Sequence, residues 1–392
     1  MKLRNLMYAT MIACAFASCS KDDVTTSGEK GTDAGLGDAK MSVAIALADP
    51  STKAGNDGNA LTGETQINNV QVGIYQNGVL IANAAKENTS GNSIEFTGLP
   101  ANVDLVCIVL ANIPNSDVAV SSISPNSLDG ILIVKTAGFS SSALPMYAMS
   151  TPFVLNPGDN GTKNVEVIRN VARIQVSGII LDMAHDLSPY QKGDASFTLN
   201  SISVNDVAGK AFVTGDYLGA DNTYVHGFAG YKPEAGSFGY YFKDGFTASN
   251  FTLTQSFDKA QSTNPVSMTG LGTVKAPVNY FYVFANESTS NQTVLTIAGE
   301  YTLVGATTAD GTTVPDIAEG TISYYPVTIG LSGVENGTAK VAKNMVYDIA
   351  LTIAGPGYTT PDPDPSGKTA NFTVVATAAD WSGIVNQAPV IP

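Results

Sequence analysis

One long extended run constrains the fold of this chain more than any other feature. Residues 164–179 read NVEVIRNVARIQVSGI and are rich in Val and Ile, which favour extended backbone. Val165 and Val167 place their apolar side chains on one face, and from Ile168 the alternation changes parity. The later apolar set is Ile168, Ala172, Ile174 and Val176, with Arg169, Arg173 and Gln175 opposite and Val171 as the one exception. A change of parity moves the buried set to the other face of a strand, so the run predicts a junction between two β-domains.

Composition supports an all-β chain of two domains. The 392 residues exceed the size of one ordinary domain, only 14% are charged, and Gly occurs 38 times. Beyond the first residues, the chain lacks long windows with the apolar spacing of a helix. The net charge of −14, from 34 acidic and 20 basic residues, argues against nucleic acid as a partner, because nucleic-acid binding needs a basic face.

The sequence predicts no catalytic, cofactor or metal site, so we do not expect an enzyme. Of the three Cys residues, only Cys107 lies beyond the leader, and its apolar strand pattern predicts a buried thiol. His185 and His226 are far apart in sequence, and neither has a Cys or His partner at metal-binding spacing. No GxSxG motif and no Gly-rich phosphate loop after a strand are present.

Residues 1–18 form a secretory signal peptide, with two basic residues before a short apolar core. The sequence Phe-Ala-Ser before Cys19 resembles the lipobox of bacterial lipoproteins, in which the Cys becomes the lipidated first residue; the alternative is an ordinary signal peptide with a chance Cys. Residues 20–23, Ser-Lys-Asp-Asp, resemble the export signal of Bacteroidetes surface lipoproteins. Residues 19–40 have too few apolar side chains to fold and are expected to be a tether.

The first predicted strand is 41–48, in which Met41, Val43, Ile45 and Leu47 share one face. The loop that follows it, residues 49–66, is rich in Gly, Asn and Asp. Lys53-Ala54 lies inside this loop, where proteases commonly cut. Lys40 is a competing basic residue, but a cut there would leave the strand in place.

The remaining strands are predicted to divide into an N-terminal β-sandwich, 41–167, and a C-terminal one, 168–354. Asn77-Gly78 predicts a two-residue hairpin between two strands of the first domain, because both positions tolerate positive φ. Residues 355–392 begin with a Pro-rich linker that cannot pair in the centre of a sheet. A last strand follows, whose apolar set is Phe372, Val374, Ala376, Ile384, Val385 and Val390.

Several patches of the chain together resemble the Bacteroidales fimbrillins, the subunits of type V pili. They are VEVIRNVARIQV at 165–176, LPMYAMS at 144–150, NMVYDIALTIAGPG at 344–357 and the late Asp380-Trp381. The resemblance implies two tandem transthyretin-like β-sandwiches, no cofactor, and a subunit exported to the cell outer membrane through a lipid on Cys19.

The same resemblance implies a route of assembly. A maturation protease removes the first strand, here by a cut between Lys53 and Ala54, and the vacated groove accepts the C-terminal strand of another subunit. The expected partners are therefore other copies of the chain and related fimbrillins, in a fimbrium at the cell surface. This reading makes the chain a stalk subunit that polymerises by donor-strand exchange.

A second hypothesis is a tip adhesin or a glycan-binding surface lipoprotein. The Gly- and Tyr-rich stretch 205–250 contains aromatic rings that could stack on sugars or simply pack in the core. These residues are Tyr217, Tyr224, Tyr231, Tyr240 and Tyr241. The strand pattern after the Pro-rich linker favours the stalk hypothesis, because a tip subunit needs no donor strand.

The lipobox-like boundary generates the first testable prediction. We expect Cys19→Ala to leave an uncleaved and poorly exported precursor, because the lipidated residue is missing. Metabolic labelling with a palmitate analogue and surface proteolysis of intact cells measure this directly. Normal surface display of the unlabelled Cys19→Ala protein would contradict the lipoprotein assignment, and Ser20→Ala serves as the matched control.

Overall fold

A computed structural model describes residues 38–48, 61–87, 93–134, 137–228, 231, 239–246, 251–261, 263–269, 280–330 and 340–361, and the backbone of 372–380 and 383–385. The fold is all-β, as predicted. The first nine strands are β1 Ala39–Leu47, β2 Asn69–Gln76, β3 Val79–Glu87, β4 Ser93–Leu99, β5 Asp104–Ala111, β6 Ile131–Ile133, β7 Met146–Met149, β8 Phe153–Val154 and β9 Gly158–Arg169. No helix in this described part is long and apolar enough to cross a membrane.

Fourteen further strands follow the junction. They are β10 Val171–Leu181, β11 Tyr190–Asn205, β12 Val207–Ala208, β13 Lys210–Phe212, β14 Tyr224–Val225, β15 Phe242–Lys243, β16 Thr252–Asp258, β17 Val266–Thr269, β18 Tyr280–Phe284, β19 Val294–Thr308, β20 Ile322–Thr328, β21 Met345–Ile353, β22 Phe372–Asp380 and β23 Gly383–Val385. Strands β12 to β15 lie in the Gly- and Tyr-rich stretch.

Strands of the N-terminal half form one path, β3-β2-β5-β7-β9-β1-β4, with β8 beside β5. Strand β9 changes partner along its length: residues 158–167 pair in parallel with β1, whereas Ile168 and Arg169 pair with β7. The path therefore has two parts that meet at β9. One part is the three-stranded group β9-β1-β4, and β1 is its middle strand.

Strands of the C-terminal half form two larger sheets. One has the order β17-β10-β21-β22-β23, with β18 also beside β10, and the other has the order β15-β11-β19-β20, with β16 also beside β11. The first strand of this half, β10, pairs in parallel with β21. The N-terminal half has the same relation between β1 and β9, so both halves open with a strand that pairs in parallel with a late one.

Burial places the change of parity later than the sequence predicts. Val165, Val167 and Arg169 are all buried, and Ile168 is only half-buried. The apolar set then moves to Ala172, Ile174 and Val176, after a break in pairing at Asn170. The prediction that Ile168 starts the second buried set is therefore wrong. Arg169 takes the buried position because its guanidinium donates a hydrogen bond to the carbonyl oxygen of Glu64.

The two halves contact each other through backbone as well as side chains. Strand β6 pairs with β13 at Leu132 and Ala211, so a two-stranded sheet crosses between the halves. The Asn170 amide donates to the carbonyl oxygen of Val213 at 2.7 Å. The rings of Phe139 and Phe284 meet edge to face, with centroids 5.0 Å apart. Hydrogen bonds, strand pairing and ring packing all fix the halves together.

Two local predictions are confirmed. Asn77 and Gly78 both have positive φ, at 52° and 81°, and join β2 to β3 with Gln76 opposite Val79. Cys107 is a free, fully buried thiol in β5, and burial raises its pKa to about 12. This thiol packs as a small apolar side chain.

Candidate assembly site around the first strand

Strand β1 has hydrogen-bonded neighbours on both sides. It pairs antiparallel with β4 from Ala39 opposite Leu99 to Ala44 opposite Ser93. It pairs in parallel with β9 from Ala39 opposite Gly158 to Leu47 opposite Val167. A strand in this position contributes to two ladders of backbone hydrogen bonds, so its removal would leave both neighbours without a partner along that side.

The buried face of β1 matches the predicted set closely. Met41, Val43 and Ile45 are at most 3% exposed, and Leu47 is half-buried. Ala39, which the sequence places in the tether, extends the buried face by one position. Burying these side chains stabilises the fold by roughly 6–9 kcal/mol as an upper estimate by area. Strand β1 is therefore an integral part of the N-terminal core.

Lys40 lies within β1, not in a tether before it. Its Nζ is 3.0 Å from Asp159 Oδ2, and both side chains are about half exposed. The hydrogen bond and charge of Asp159 raise the pKa of Lys40. Its backbone pairs with Asp159 of β9, next to positions of β1 that also pair with β4. Proteases prefer exposed loop tips, so a peptide bond in the middle strand of a sheet is a poor substrate.

Three groups of predicted site residues lie outside the described residues. These are Cys19, the pair Lys53 and Ala54, and Val390. Their roles in lipidation, cleavage and donation stay predictions. The two described positions that flank the loop are Ala48, whose backbone N–H donates to Val167, and Leu61.

The C-terminal segment pairs with its own chain. Strand β22 runs antiparallel to β21 from Phe372 opposite Ile353 to Asp380 opposite Met345. Strand β23, which contains Ile384 and Val385, folds back on β22. The predicted donor is therefore stored as a hairpin at the edge of the C-terminal sheet, and donation requires that this hairpin leave β21.

A buried ionic cluster lies immediately after the loop. Glu64 is fully buried, and both of its carboxylate oxygens lie 2.6 Å from Nη1 of Arg173. The hydroxyl of Tyr282 donates to Glu64 Oε1 at 2.6 Å, and the Leu61 backbone N–H donates to Oε2 at 2.7 Å. Arg169 Nε donates to the Glu64 carbonyl oxygen at 3.1 Å. We call Glu64, Arg169, Arg173 and Tyr282 the Glu64 anchor.

The electrostatics of the Glu64 anchor follow from burial. Burial, and next the Glu64 carboxylate, raises the pKa of Tyr282, which therefore stays a neutral donor. Burial lowers the pKa of Arg169 to about 10, which leaves it charged at neutral pH. A charge in such a place needs partners. The carboxylate and two guanidinium groups supply them, and the anchor joins the segment after the loop to β9, β10 and β18.

The rest of this segment is fixed by hydrogen bonds to the N-terminal half. The Asn68 N–H donates to Oδ1 of Asn112 at 2.8 Å. The Asn112 amide donates in turn to the Gln66 carbonyl oxygen at 2.8 Å. Residues 61–68 are thus held on both halves by contacts that do not involve β1. The buried arginines in an apolar strand pattern were the signal that a carboxylate partner must exist, but nothing in the sequence pointed to Glu64.

The aromatic residues of the glycan-binding hypothesis do not form an exposed platform. Tyr231 and Tyr241 are buried, and Tyr217, Tyr224 and Tyr240 are only partly exposed. The hydroxyls of Tyr217 and Tyr224 lie 2.5 Å apart, which ties these rings to each other. Stacking on a sugar needs an open ring face, so this arrangement favours the packing role that the sequence also allowed.

Comparison with known proteins agrees with the architecture. Residues 39–177 match the family of the major fimbrial subunit protein FimA, and the match begins at the first residue of β1. Over 76 residues the chain is 37% identical to the major fimbrium subunit FimA type-5 of Porphyromonas gingivalis, and over 74 residues 35% identical to FimA type-2. These stretches span 18% and 17% of this chain and less than a fifth of each relative.

Solved structures extend the likeness of fold to most of the chain. A fimbrilin from Porphyromonas gingivalis superposes with a TM-score of 0.57 at 21% identity, covering 90% of this chain and all of that one. A putative cell adhesion protein from Parabacteroides distasonis gives 0.59 at 18% identity, with 88% and 99% covered. The resemblance to the Bacteroidales fimbrillins is confirmed, and residues 39–177 belong to the FimA fimbrial subunit family.

The Glu64 anchor generates a prediction about stability. Glu64→Gln removes the charge that compensates the buried Arg173, so we expect the free energy of unfolding to fall by about 3 kcal/mol. Glu166→Gln on the exposed face of β9 is the matched control and should change it by less than about 0.5 kcal/mol. Urea unfolding followed by Tyr and Trp fluorescence measures both. Equal effects of the two substitutions would show that the anchor adds no stability.

Proposed function

We propose that this protein is a stalk subunit of a cell-surface fimbria that polymerises by donor-strand exchange. It is exported as a lipoprotein anchored in the outer membrane through Cys19, cut between Lys53 and Ala54, and then assembled with other copies of itself. The two halves are tandem transthyretin-like sandwiches. The observation that carries the proposal is the position of β1, which is the first strand of the family match and the middle strand between β4 and β9.

The position of β1 explains how its loss would drive assembly. Without β1, the apolar positions that pack against Met41, Val43 and Ile45 would be exposed, and so would backbone groups of β4 and β9. Exposed strand edges of this kind pair readily with another chain. An extended segment from a second copy restores both ladders by β-augmentation. Because donor and acceptor surfaces differ, such contacts propagate into a filament.

The position of β22 supports its role as donor. It lies toward the edge of its sheet, where only the three-residue β23 covers its outer side. The inward set Phe372, Val374 and Ala376 repeats the alternate spacing of Met41, Val43 and Ile45. The smaller Ala376 in this set makes the refilled core looser than the original, because each missing methylene reduces the buried area.

The first test of this function is the start of the mature chain. Cleavage in the loop before the Glu64 anchor removes β1 and leaves the rest of the fold held through residues 61–68. We expect N-terminal sequencing of assembled material to begin at Ala54. Filament subunits that begin at Cys19 or Met41 would retain β1, and that outcome would sink the exchange mechanism.

The second test is cross-linking between copies. If the donor occupies the place of β1, its outward positions face the side of β9 that pairs with β1. We expect Thr162→Cys in one copy to form disulfide ladders with at least one of Thr373→Cys, Val375→Cys or Thr377→Cys in another. Cys107 is buried and leaves these cysteines as the reactive pair.

The controls separate folding from assembly. Thr328→Cys, on an exposed position of β20, replaces Thr162→Cys and should give no ladder. A chain that ends after Pro365 lacks the donor and should fold, reach the surface and be cut, yet remain monomeric. Ladders of equal strength from Thr328→Cys, or filaments from the truncated chain, would place the donor elsewhere.

A further inference from the structure

The hydrogen-bonding partners of β1 determine what remains when it leaves. Among the described residues, β4 pairs with β1 alone, and residues 158–167 of β9 also pair with β1 alone. Strand β9 regains another partner, β7, only at Ile168 and Arg169. The group β9-β1-β4 therefore has no sheet hydrogen bonds that survive the loss of its middle strand.

An empty groove would consequently be a costly state. Ile94, Phe96 and Leu99 of β4 are buried against the core, so the strand is held there by apolar packing. Its backbone groups on the β1 side would lie unpaired beside that core, as would those of β9. Buried backbone groups without partners are strongly unfavourable. A route that replaces each pair as it breaks avoids this state.

The two ends of β1 are held unequally. The N-terminal end pairs on both sides, and the Lys40–Asp159 ion pair and the hydrogen bond from Gly158 N–H to the Asp38 carbonyl add to it. Pairing with β4 ends at Ala44, so in the described chain Ile45 to Leu47 pair with β9 only. The C-terminal end of β1, which is next to the loop, is therefore the end that separates first.

We propose that the outgoing β1 and the incoming strand exchange in one concerted process that begins at the C-terminal end of β1, beside Val165 to Val167 of β9, and advances toward Ala39. The inference rests on the proposed donor-strand exchange and adds its order. Strand β4 stays in place throughout and re-pairs with the donor position by position. Cleavage of the loop by itself then leaves β1 bound, and the arrival of a donor releases it.

Displacement kinetics test this order. The full chain carries a site-specific protease sequence at residues 52–57, serine at positions 14 and 19, and a fluorophore on Ala46→Cys, an exposed position of β1. After the loop is cut, a synthetic peptide of residues 369–392 is added, and anisotropy reports release of the labelled strand. We expect release to be slow without peptide and its rate to rise in proportion to peptide concentration over a hundredfold range.

Three outcomes are distinct. A release rate that does not depend on peptide concentration means that β1 leaves before the donor arrives, and it overturns the concerted order while leaving strand exchange intact. No release at any peptide concentration, with no peptide bound, overturns strand exchange itself and the order with it. A rate proportional to concentration, absent for a peptide with Phe372→Asp and Val374→Asp, supports the proposal.

Matched substitutions in β1 locate where exchange begins. Ile45 and Val43 face the same core and are both buried, but only Val43 lies where β1 pairs on both sides. If the C-terminal end opens before the rate-limiting step, Ile45→Ala should speed release at least about tenfold and Val43→Ala less than about threefold. Equal acceleration, or a larger effect of Val43→Ala, would contradict a start at the C-terminal end.

Discussion

The pairing of β1 with both β4 and β9 is the constraint on which the rest of the N-terminal half depends. Without β1, β4 has no strand partner and the main part of β9 has none either, within the part of the chain that the structure describes. The strand is buried through Met41, Val43 and Ile45, yet it lies at the beginning of the folded region, next to a loop that carries a basic residue. A strand so central and so near one end of the fold is suited to replacement by an equivalent strand from another copy.

The Glu64 anchor limits how much of the molecule such a replacement would disturb. Its carboxylate is held by Arg173 and Tyr282 of the C-terminal half, and Arg169 holds the adjacent carbonyl oxygen. The cluster lies between the loop and β2, so it separates a releasable part, β1, from a segment fixed to both halves. Buried charges of this kind contribute little net stability compared with apolar packing, but breaking one is costly. A mature chain that starts at Ala54 would therefore keep residues 61–68 in position.

Much of the fold could be predicted from alternation alone. The limits of β1, β2, β5, β10 and β21 agree with the sequence patterns within two residues, because each strand buries one face against a core. Strands β6, β7, β12 and β14 were missed because they are two to four residues long and depend on tertiary pairing. The position of the parity change was misjudged because an arginine, Arg169, is buried. Pattern reasoning assigns a charged side chain to the outside and cannot see the distant Glu64 that compensates it.

The measurement that tests the account most directly is an electron cryo-microscopy map of the assembled filament at a resolution that shows side chains. The account predicts that the strand between β4 and β9 traces to Phe372 and the following residues of a neighbouring copy, with residues 39–48 gone and β22 no longer paired with β21. A strand in that position continuous with the same copy's own Met41, Val43 and Ile45 would contradict it.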